Sequence, residues 1–267
     1  ISNKTRDSKI NVLKDKKTKI IFLEKFITDK SYYSSKKSKK NFKIVGKNNP
    51  SLALEDNKRR IANFQRLCKN KTVLDFGCGW GFFLKKLIKS NSLNGTELRI
   101  NCLEYLKKNK KNINIKTNIN DFSYKFDIIT MFHVLEHLPS QIKSLKLLRN
   151  KLKKNGKIII EVPHAEDILL QFDELKEFKN FTFWSEHLIL HTYSSLKTII
   201  KKAGFKDIKI NYTQRYGFDN HLGWFIKKKP NGHIFFKKYS SKNLNSNYKK
   251  NLINLKKTDT LTVVATK

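Results

Sequence analysis

A glycine-rich turn between a short apolar run and a helical pattern constrains the fold of this chain more than any other feature. Residues 72–84 read Thr-Val-Leu-Asp-Phe-Gly-Cys-Gly-Trp-Gly-Phe-Phe-Leu, and the first five have the apolar, β-branched character of a buried strand. Phe83, Leu84, Leu87 and Ile88 then recur at helical spacing. A strand, a glycine turn and a helix in this order form the first βα unit of a doubly wound sheet, which binds a nucleotide-like ligand over its turn.

The glycine spacing and the acid before it indicate a cationic ligand. Gly77, Gly79 and Gly81 occupy alternate positions, whereas a dinucleotide-binding turn reads G-x-G-x-x-G and places a pyrophosphate on the helix N-terminus. Glycine lets the backbone approach a ligand because it has no Cβ. Asp75 stands two residues before the first glycine, and its carboxylate suits a cation better than a phosphate. S-adenosylmethionine fits this description, because it carries an ammonium and a sulfonium group and no phosphate.

A second acid and a second strand complete the pattern. Glu97 ends a predicted strand about 20 residues after Asp75, where an acid holds a ribose diol through two hydrogen bonds. Phe126-Asp-Ile-Ile-Thr-Met-Phe-His-Val-Leu-Glu-His137 reads as a buried strand followed by polar residues at its carboxyl end. Together with the glycine turn, these segments resemble the class I S-adenosylmethionine-dependent methyltransferases. The resemblance implies an α/β fold with a seven-stranded, doubly wound, Rossmann-like sheet.

The resemblance also implies a cofactor site for S-adenosyl-L-methionine at one edge of the sheet. Its predicted residues are Asp75, Gly77, Cys78, Gly79, Gly81, Glu97, Leu98, Asn118, Ile119 and Phe132. At Asn118 the family usually has an acid that reads the adenine amine. An amide oxygen can accept the same hydrogen bond, although the assignment within residues 118–121 stays open.

The segment His133-Val-Leu-Glu-His137 also matches the zinc-protease pattern H-x-x-E-H. That pattern belongs inside a long helix, whereas this segment follows a buried strand directly and Pro139 interrupts it. We therefore predict no metal ion here. In the family this turn flanks the methionine half of the cofactor, so His133 faces either the substrate or the loop backbone.

An aromatic insertion contains the segment Trp184-Ser-Glu-His-Leu188. It resembles a methyltransferase subfamily acting on sugars, including sugar C-methyltransferases, in which a Glu-His pair supplies the base. On that resemblance Glu186 and His187 are the candidate catalytic residues, together with His133. A histidine with a pKa near 6.5 suits removal of a proton from the nucleophile, although packing of the linker is an alternative role for His187. His187 and His191 have the spacing of a metal pair, but the sequence offers no evident third ligand.

The domain organisation follows from these assignments. Residues 1–50 are predicted as an N-terminal extension and residues 51–267 as the methyltransferase domain. Two insertions, about 164–193 and 214–257, are predicted to form a substrate lid. An arginine there can pair with a phosphate or carboxylate, and a tryptophan can stack on a sugar face. The predicted substrate-binding residues are Arg215, Tyr216, Asn220, His221, Trp224 and His233.

Composition bounds the partners and the compartment. The formal net charge of +35 at first indicates a nucleic-acid-binding protein, but the lysines are spread along the whole chain and are typical of an A/T-rich genome. We therefore expect a solvated lysine surface and do not favour nucleic acid. Cys68, Cys78 and Cys102 have no paired spacing, which favours a reducing compartment. No apolar run reaches the ~18 residues of a membrane span, so the predicted location is cytoplasmic.

The sequence predicts methyl transfer to a small molecule, with anionic molecules included and a sugar or a sugar-containing cell-surface precursor as the leading acceptor. Sugar C-methyltransferases also carry a cysteine-rich zinc segment, which this sequence does not contain, so O- or N-transfer stays open. The alternatives are an RNA or protein methyltransferase, favoured only by charge, and a non-catalytic basic binding module on the same fold. The acceptor atom and the oligomeric state are left open.

Overall fold

The computed structural model describes residues 1–27, 30–35, 51–87, 92–109 and 112–267. The strands are β1 (Val12–Lys14), β2 (Ile21–Leu23), β3 (Thr72–Phe76), β4 (Ser92–Thr96), β5 (Asn114–Lys116), β6 (Phe126–Phe132), β7 (Leu152–Pro163), β8 (Ile189–Leu190), β9 (Lys206–Thr213) and β10 (Thr260–Thr266). The α-helices are α1 (Lys30–Ser34), α2 (Ser51–Cys68), α3 (Phe82–Lys86), α4 (Ile100–Asn109), α5 (Gln141–Lys151), α6 (Lys176–Thr182), α7 (Tyr193–Lys202), α8 (Phe218–Lys227), α9 (Gly232–Phe235) and α10 (Lys242–Asn254).

The main sheet has seven strands in the order β5-β4-β3-β6-β7-β10-β9, which confirms the predicted doubly wound α/β fold. The five strands from β5 to β7 are parallel, and β10 runs antiparallel between β7 and β9. From β3 the chain proceeds outward through β4 and β5, then returns to place β6 on the other side of β3. The carboxyl ends of β3 and β6 therefore flank the switch point, where open α/β sheets bind their ligands.

Helices cover both faces of the sheet. Leu145 and Leu148 of α5 and Leu196 of α7 are buried in one apolar cluster with the central strands. Phe64 of α2 and Leu106 of α4 belong to a second cluster with the opposite face. Each fully buried leucine contributes about 1.5–3 kcal/mol to folding, so these clusters hold the strand ends in fixed positions.

A second, smaller sheet joins the N-terminal extension to the 164–193 insertion, two segments that the sequence did not connect. Its order is β1-β2-β8, so the two strands of the N-terminal extension pair with each other and β2 pairs with β8 of the 164–193 insertion. Val12, Ile21 and Leu190 are buried with Phe183 and Trp224 in a third apolar cluster. The extension and the insertion therefore share one core.

The N-terminal segment also fixes the backbone of the Trp184–Leu188 segment. Asp7 accepts hydrogen bonds from the Nε1 of Trp184 at 3.0 Å and from the backbone N and Oγ of Ser185 at 3.0 and 2.6 Å. The guanidinium of Arg6 lies over the Trp184 ring at 4.5 Å. Within the described residues, no helix combines the length and hydropathy required to cross a membrane.

Candidate active site

The glycine turn after β3 has the backbone conformation that its sequence demands. The φ angles of Gly77, Gly79 and Gly81 are +74°, +53° and +66°, all in the left-handed region that side chains disfavour. Gly77 also lacks space, because a Cβ there would lie 2.6 Å from a methyl group of Val134. At these three positions beside the switch point, a ligand would therefore meet only backbone atoms of the turn.

Glu97 lies at the end of β4 and closes over the glycine turn. Its Oε2 accepts a hydrogen bond from the backbone N of Gly79 at 2.8 Å. Its Oε1 accepts from the backbone N of Leu98 and of Arg99, both at 2.8 Å. Because a carboxylate oxygen has two lone pairs, Oε2 keeps one for a ligand hydroxyl, and a second hydroxyl would have to replace the Gly79 N–H.

Asp75 is a buried acid at the end of β3. Its Oδ1 accepts a hydrogen bond from the Oγ1 of Thr130 at 2.7 Å. Burial raises the pKa of Asp75 to about 7, although Thr130 and Arg60 act in the opposite direction. A cationic ligand beside this carboxyl would favour its ionised form.

The other predicted cofactor residues lie at the ends of neighbouring strands. The Oδ1 of Asn118, an exposed residue after β5, accepts from the backbone N of Asn120 at 3.0 Å and caps the short 3₁₀ helix Ile119–Asp121. Cys78 is buried within the turn. Phe132, the last residue of β6, packs against Phe83 and carries the Arg60 guanidinium over its ring at 4.5 Å.

These features fit S-adenosylmethionine. The left-handed turn admits a ligand close to the backbone, and Glu97 offers a carboxylate to a ribose. Burial raises the pKa of Asp75 to about 7, so its carboxyl is only partly ionised near pH 7 until a cation arrives. The predicted cofactor residues thus assemble at one edge of the sheet, while their individual contacts with the cofactor stay predictions.

Beyond β6, the chain forms what we name the histidine–glutamate cluster, defined as His133, Glu136, His137, Glu186 and His187. His133 has a φ angle of +54°, a strained value for a non-glycine residue. Its Nε2 lies 3.2 Å from Nη1 of Arg215, and its Nδ1 lies 3.2 Å from Oε1 of Glu136. Because a guanidinium only donates, Nε2 accepts and Nδ1 carries the proton that it donates to Glu136.

The two halves of this cluster come from segments about 50 residues apart in the chain. The rings of His137 and His187 are 5.1 Å apart between centroids. Glu186 accepts hydrogen bonds from the hydroxyl of Tyr32 and from Nη2 of Arg99, both at 2.9 Å. The structure therefore brings the predicted catalytic residues together, although their roles stay predictions.

Burial controls the protonation of the cluster. It lowers the pKa of His187 to about 4, and it lowers the pKa values of His133 and His137 well below the usual range. These imidazoles are therefore neutral at pH 7. Burial also raises the pKa of Glu136 to about 8, and it raises the pKa of Glu186, where Arg99 acts in the opposite direction.

Next to the cluster lies a network of arginines and carboxylates that was not predicted from the sequence. Glu161 on β7 is fully buried, and its Oε1 and Oε2 accept from Nη1 and Nη2 of Arg59 at 2.7 and 3.0 Å. The Nε of Arg60 donates to Oε2 at 2.8 Å. Burial alone would raise the pKa of Glu161, but these arginines hold it below its usual range. An acid inside the apolar run of β7 was the available signal, because unpaired acids are rarely buried.

Arg215 belongs to the same network, which changes its predicted role. Its Nε lies 3.2 Å from Oδ1 of Asp259, and its Nη1 lies 3.2 Å from Oδ2 of Asp56. From the sequence alone, this guanidinium is predicted to pair with a phosphate or carboxylate of the substrate. In the structure two carboxylates and His133 already occupy it, so it orients the protein's own groups.

The remaining predicted substrate residues are largely inside the fold. Trp224 is 4% exposed and packs against Phe178 and Phe181, so little of its ring is open to a sugar, and the predicted stacking role stays a prediction. His221 is buried, and its Nδ1 lies 2.9 Å from the hydroxyl of Tyr248. Three further predicted residues stay as predictions: Asn220, which is buried, Tyr216, whose ring lies under Arg215, and His233, which is half-buried on α9.

The fold and the glycine turn define the class of protein, and sequence comparison agrees. A sequence model of the family described as "Methyltransferase domain" matches residues 50–210. The chain belongs to this family and is a class I S-adenosylmethionine-dependent methyltransferase. S-adenosylmethionine is its cofactor.

Two curated relatives illustrate the similarity in sequence. The chain is 30% identical to the tRNA U34 carboxymethyltransferase of Nautilia profundicola over 154 residues, which cover 53% of this chain and 49% of that protein. It is 26% identical to the tRNA U34 carboxymethyltransferase of Campylobacter jejuni over 166 residues, which cover 57% and 55%. The chain therefore spans about half the length of the curated relatives it matches.

Solved structures share the fold at low identity. A SAM-dependent methyltransferase from Archaeoglobus fulgidus is 22% identical with a TM-score of 0.53, over 80% of this chain and 93% of that one. The plantazolicin methyltransferase BamL is 15% identical with a TM-score of 0.51, over 83% and 86%. At this identity the likeness concerns the fold alone.

The pKa of Asp75 leads to a prediction about pH. Below pH 7 its carboxyl is mainly protonated in the free protein, so a bound cation must first displace that proton. We expect the affinity for S-adenosylmethionine to fall by up to about tenfold for each pH unit below 7, since one pKa unit corresponds to a factor of ten. Calorimetry between pH 5.5 and 7.5 measures this slope, and Asp75→Asn should bind more weakly with a flat profile. A wild-type profile as flat as that of the variant would contradict the assignment.

Proposed function

We propose that this chain transfers a methyl group from S-adenosylmethionine to a hydroxyl-bearing small molecule at the histidine–glutamate cluster. The observation that supports this most is the convergence of His137, Glu186 and His187 beside the strand ends that hold the cofactor site. Carboxylates and neutral imidazoles are hydrogen-bond acceptors, which suit a sugar hydroxyl. A sugar or sugar-containing precursor, which the sequence resemblance suggests, therefore remains the leading acceptor.

The chemistry requires positioning more than activation. When bound, S-adenosylmethionine supplies an electrophilic methyl carbon on a positively charged sulfur. The acceptor oxygen forms a bond to this carbon as the carbon–sulfur bond breaks, and the sulfur keeps the electron pair as the thioether of S-adenosylhomocysteine. The cluster would hold the oxygen about 3 Å from the carbon and in line with the breaking bond. The acceptor proton passes to a neutral imidazole, with Nε2 of His187 as the predicted receiver.

The low pKa of His187 limits how much it can do as a base. A general base works best when its pKa is near the working pH, and a pKa of about 4 is well below it. The neutral ring can still accept a hydrogen bond and orient the hydroxyl. Glu186, fixed by Tyr32 and Arg99, is the predicted second contact to the acceptor.

A second candidate function is methylation of tRNA. The similar proteins of Nautilia profundicola and Campylobacter jejuni are tRNA U34 carboxymethyltransferases, and the chain has a net charge of +35. Such a charge attracts the phosphate backbone in a strongly salt-dependent manner. The cofactor site would be the same in both functions, while the acceptor would differ.

An acceptor comparison tests the two candidates. The chain is incubated with methyl-labelled S-adenosylmethionine and either a panel of sugar nucleotides or bulk tRNA, at 50 and 200 mM salt. We expect label to be transferred to a sugar acceptor, and we expect the rate of transfer to change little with salt. Salt screens exposed charges, whereas a small acceptor would be held by buried hydrogen bonds in the cluster. Label on tRNA that declines steeply with salt, and none on sugars, would instead establish the second function.

We further propose residues 51–267 as the catalytic unit, with residues 1–50 contributing the strands that complete it. The three cysteines are buried and form no disulfide within the described residues, which suits the reducing, cytoplasmic location expected from the sequence.

A further inference from the structure

We propose that Glu136, His137 and His187 bind a divalent transition-metal ion next to the cofactor site. The inference deepens the proposed function and rests on it, because the ion would orient the acceptor of the same reaction. One candidate ligand atom from each of the three residues lies within 4.8 Å of the other two. They are the residues that meet where the loop after β6 contacts the 164–193 insertion.

Unsatisfied polar atoms are the first observation that favours an ion. Glu136 is 0% exposed, and its Oε2 has no hydrogen-bond partner among the described residues. Nδ1 of His137 is likewise buried without a partner in the described part of the chain. Buried polar atoms are nearly always paired, and leaving one unpaired costs about 1–3 kcal/mol. A cation bound by Glu136 and His137 would give each of these side chains a partner.

The proton positions are the second observation. Nδ1 of His187 lies 3.2 Å from the backbone oxygen of Thr182, which can only accept, so Nδ1 carries the proton. Nε2 of His187 therefore has a free lone pair, as a metal ligand requires. Metal-binding histidines commonly donate their other N–H to a backbone carbonyl in this way.

His133 supplies the support that a ligating carboxylate needs. It donates its Nδ1 proton to Oε1 of Glu136 and accepts from Arg215 at Nε2, so its ring is fixed on both sides. The H-x-x-E-H pattern is thus used differently from a zinc protease. Its first histidine orients the glutamate, its second is a ligand, and the third ligand comes from a distant segment.

The ligand set indicates the class of ion. Two imidazoles and one carboxylate suit Mn²⁺, Fe²⁺, Co²⁺ or Zn²⁺, and three protein ligands leave positions open for water or an acceptor oxygen. Ligand atoms around such an ion are about 3 Å apart, so the side chains would close by ~1–2 Å on binding. His137 and His187 are only partly buried, which gives the ion a path from solvent. A coordinated hydroxyl loses its proton more readily, and because Nε2 of His187 would then bind the ion, that proton would pass to the carboxylate of Glu186.

Metal titration of the full chain tests the proposal. After treatment with a chelator, the protein is titrated with Mn²⁺ alone, and separately with Co²⁺ and Zn²⁺, by calorimetry and, for Mn²⁺, by electron paramagnetic resonance. We expect one ion per chain. Glu136→Gln and His187→Ala should each weaken binding at least ~100-fold, and His133→Ala by about 10–100-fold, the usual cost of losing a supporting group. His191→Gln, which removes a histidine outside the cluster whose two ring nitrogens already have partners, should bind the ion as the wild type does.

Two results would overturn the metal site. One is failure of all three ions to bind the wild type at one per chain, and the other is unchanged affinity in both Glu136→Gln and His187→Ala. Circular dichroism checks that the variants fold, and imidazole nitrogen couplings in the spectrum of Mn²⁺ bound to wild type provide a readout that needs no variant. S-adenosylmethionine affinity is measured on the same samples. If the wild type binds S-adenosylmethionine normally but binds no metal ion, the metal site is disproved and the proposed function stands. If the wild type does not bind S-adenosylmethionine, the proposed function itself is disproved.

Discussion

Replacement of Gly79 by arginine is expected to abolish S-adenosylmethionine binding while the chain remains folded. Gly79 has a φ angle of +53°, and its N–H donates to Oε2 of Glu97. An arginine side chain at this position would occupy the crevice above the turn and pair with Glu97, the predicted ribose ligand. Calorimetric titration with S-adenosylmethionine measures the loss, and thermal unfolding monitors the fold.

A matched variant separates backbone strain from loss of the site. Gly204 also has a positive φ, +90°, but it lies after α7 and outside the cofactor site. A Cβ there would lie 3.2 Å from Nε of Arg149. We expect a side chain at either left-handed glycine to lower the free energy of unfolding by ~1–2 kcal/mol. Gly204→Ala should therefore lose this much stability and still bind the cofactor normally. Normal binding by Gly79→Arg would contradict the assignment of the glycine turn.

Replacement of His187 by alanine is expected to reduce turnover at least ~100-fold and to leave cofactor affinity unchanged. The ring lies in the cluster beside His137, and its Nε2 lone pair is free. His187 is not one of the predicted cofactor residues, so its loss should leave cofactor affinity unchanged. A loss of about two orders of magnitude is the usual effect of removing an acid–base group. Loss of the proposed metal ligand would act in the same direction. Turnover with the acceptor identified by the labelling experiment and calorimetry with S-adenosylmethionine give the two readouts.

His191→Gln is the matched control for this variant. His191 lies four residues further along and hydrogen-bonds through both ring nitrogens, at 3.0 Å to Ser195 and at 2.8 Å to Gln141. A glutamine amide can both donate and accept, so we expect turnover within a few-fold of wild type. Near-normal turnover in His187→Ala would instead assign that residue to packing of the linker.

The features that the sequence predicted correctly have local signals. The turn from Gly77 to Gly81 could be recognised because three left-handed positions require glycine within five residues. Glu97 could be placed because a parallel sheet puts the ends of consecutive strands side by side. The burial of β6 could be predicted from its nearly continuous apolar run, which marks a strand buried on both faces.

The features that were missed depend on contacts between distant segments. Arg59 and Arg60 look like a solvated helix face until Glu161, about 100 residues away, is placed against them. The polar character of Arg215 suggested a ligand for substrate, whereas its partners proved to be Asp56 and Asp259. Trp224 is buried because its helix packs against Phe178 and Phe181 of the other insertion. The residues next to Trp224 in the sequence do not reveal this burial.

The sheet in which β2 joins β1 to β8 has a consequence for how this protein should be divided. A fragment that starts at residue 51, close to where the family match begins, would leave β8 as an open edge. It would also expose the apolar side chains of Phe183 and Leu190 and release the anchor that Asp7 provides to Ser185. Exposed edges and apolar patches promote self-association. The minimal autonomous catalytic piece therefore begins at the first strand and not at the first helix of the recognised domain.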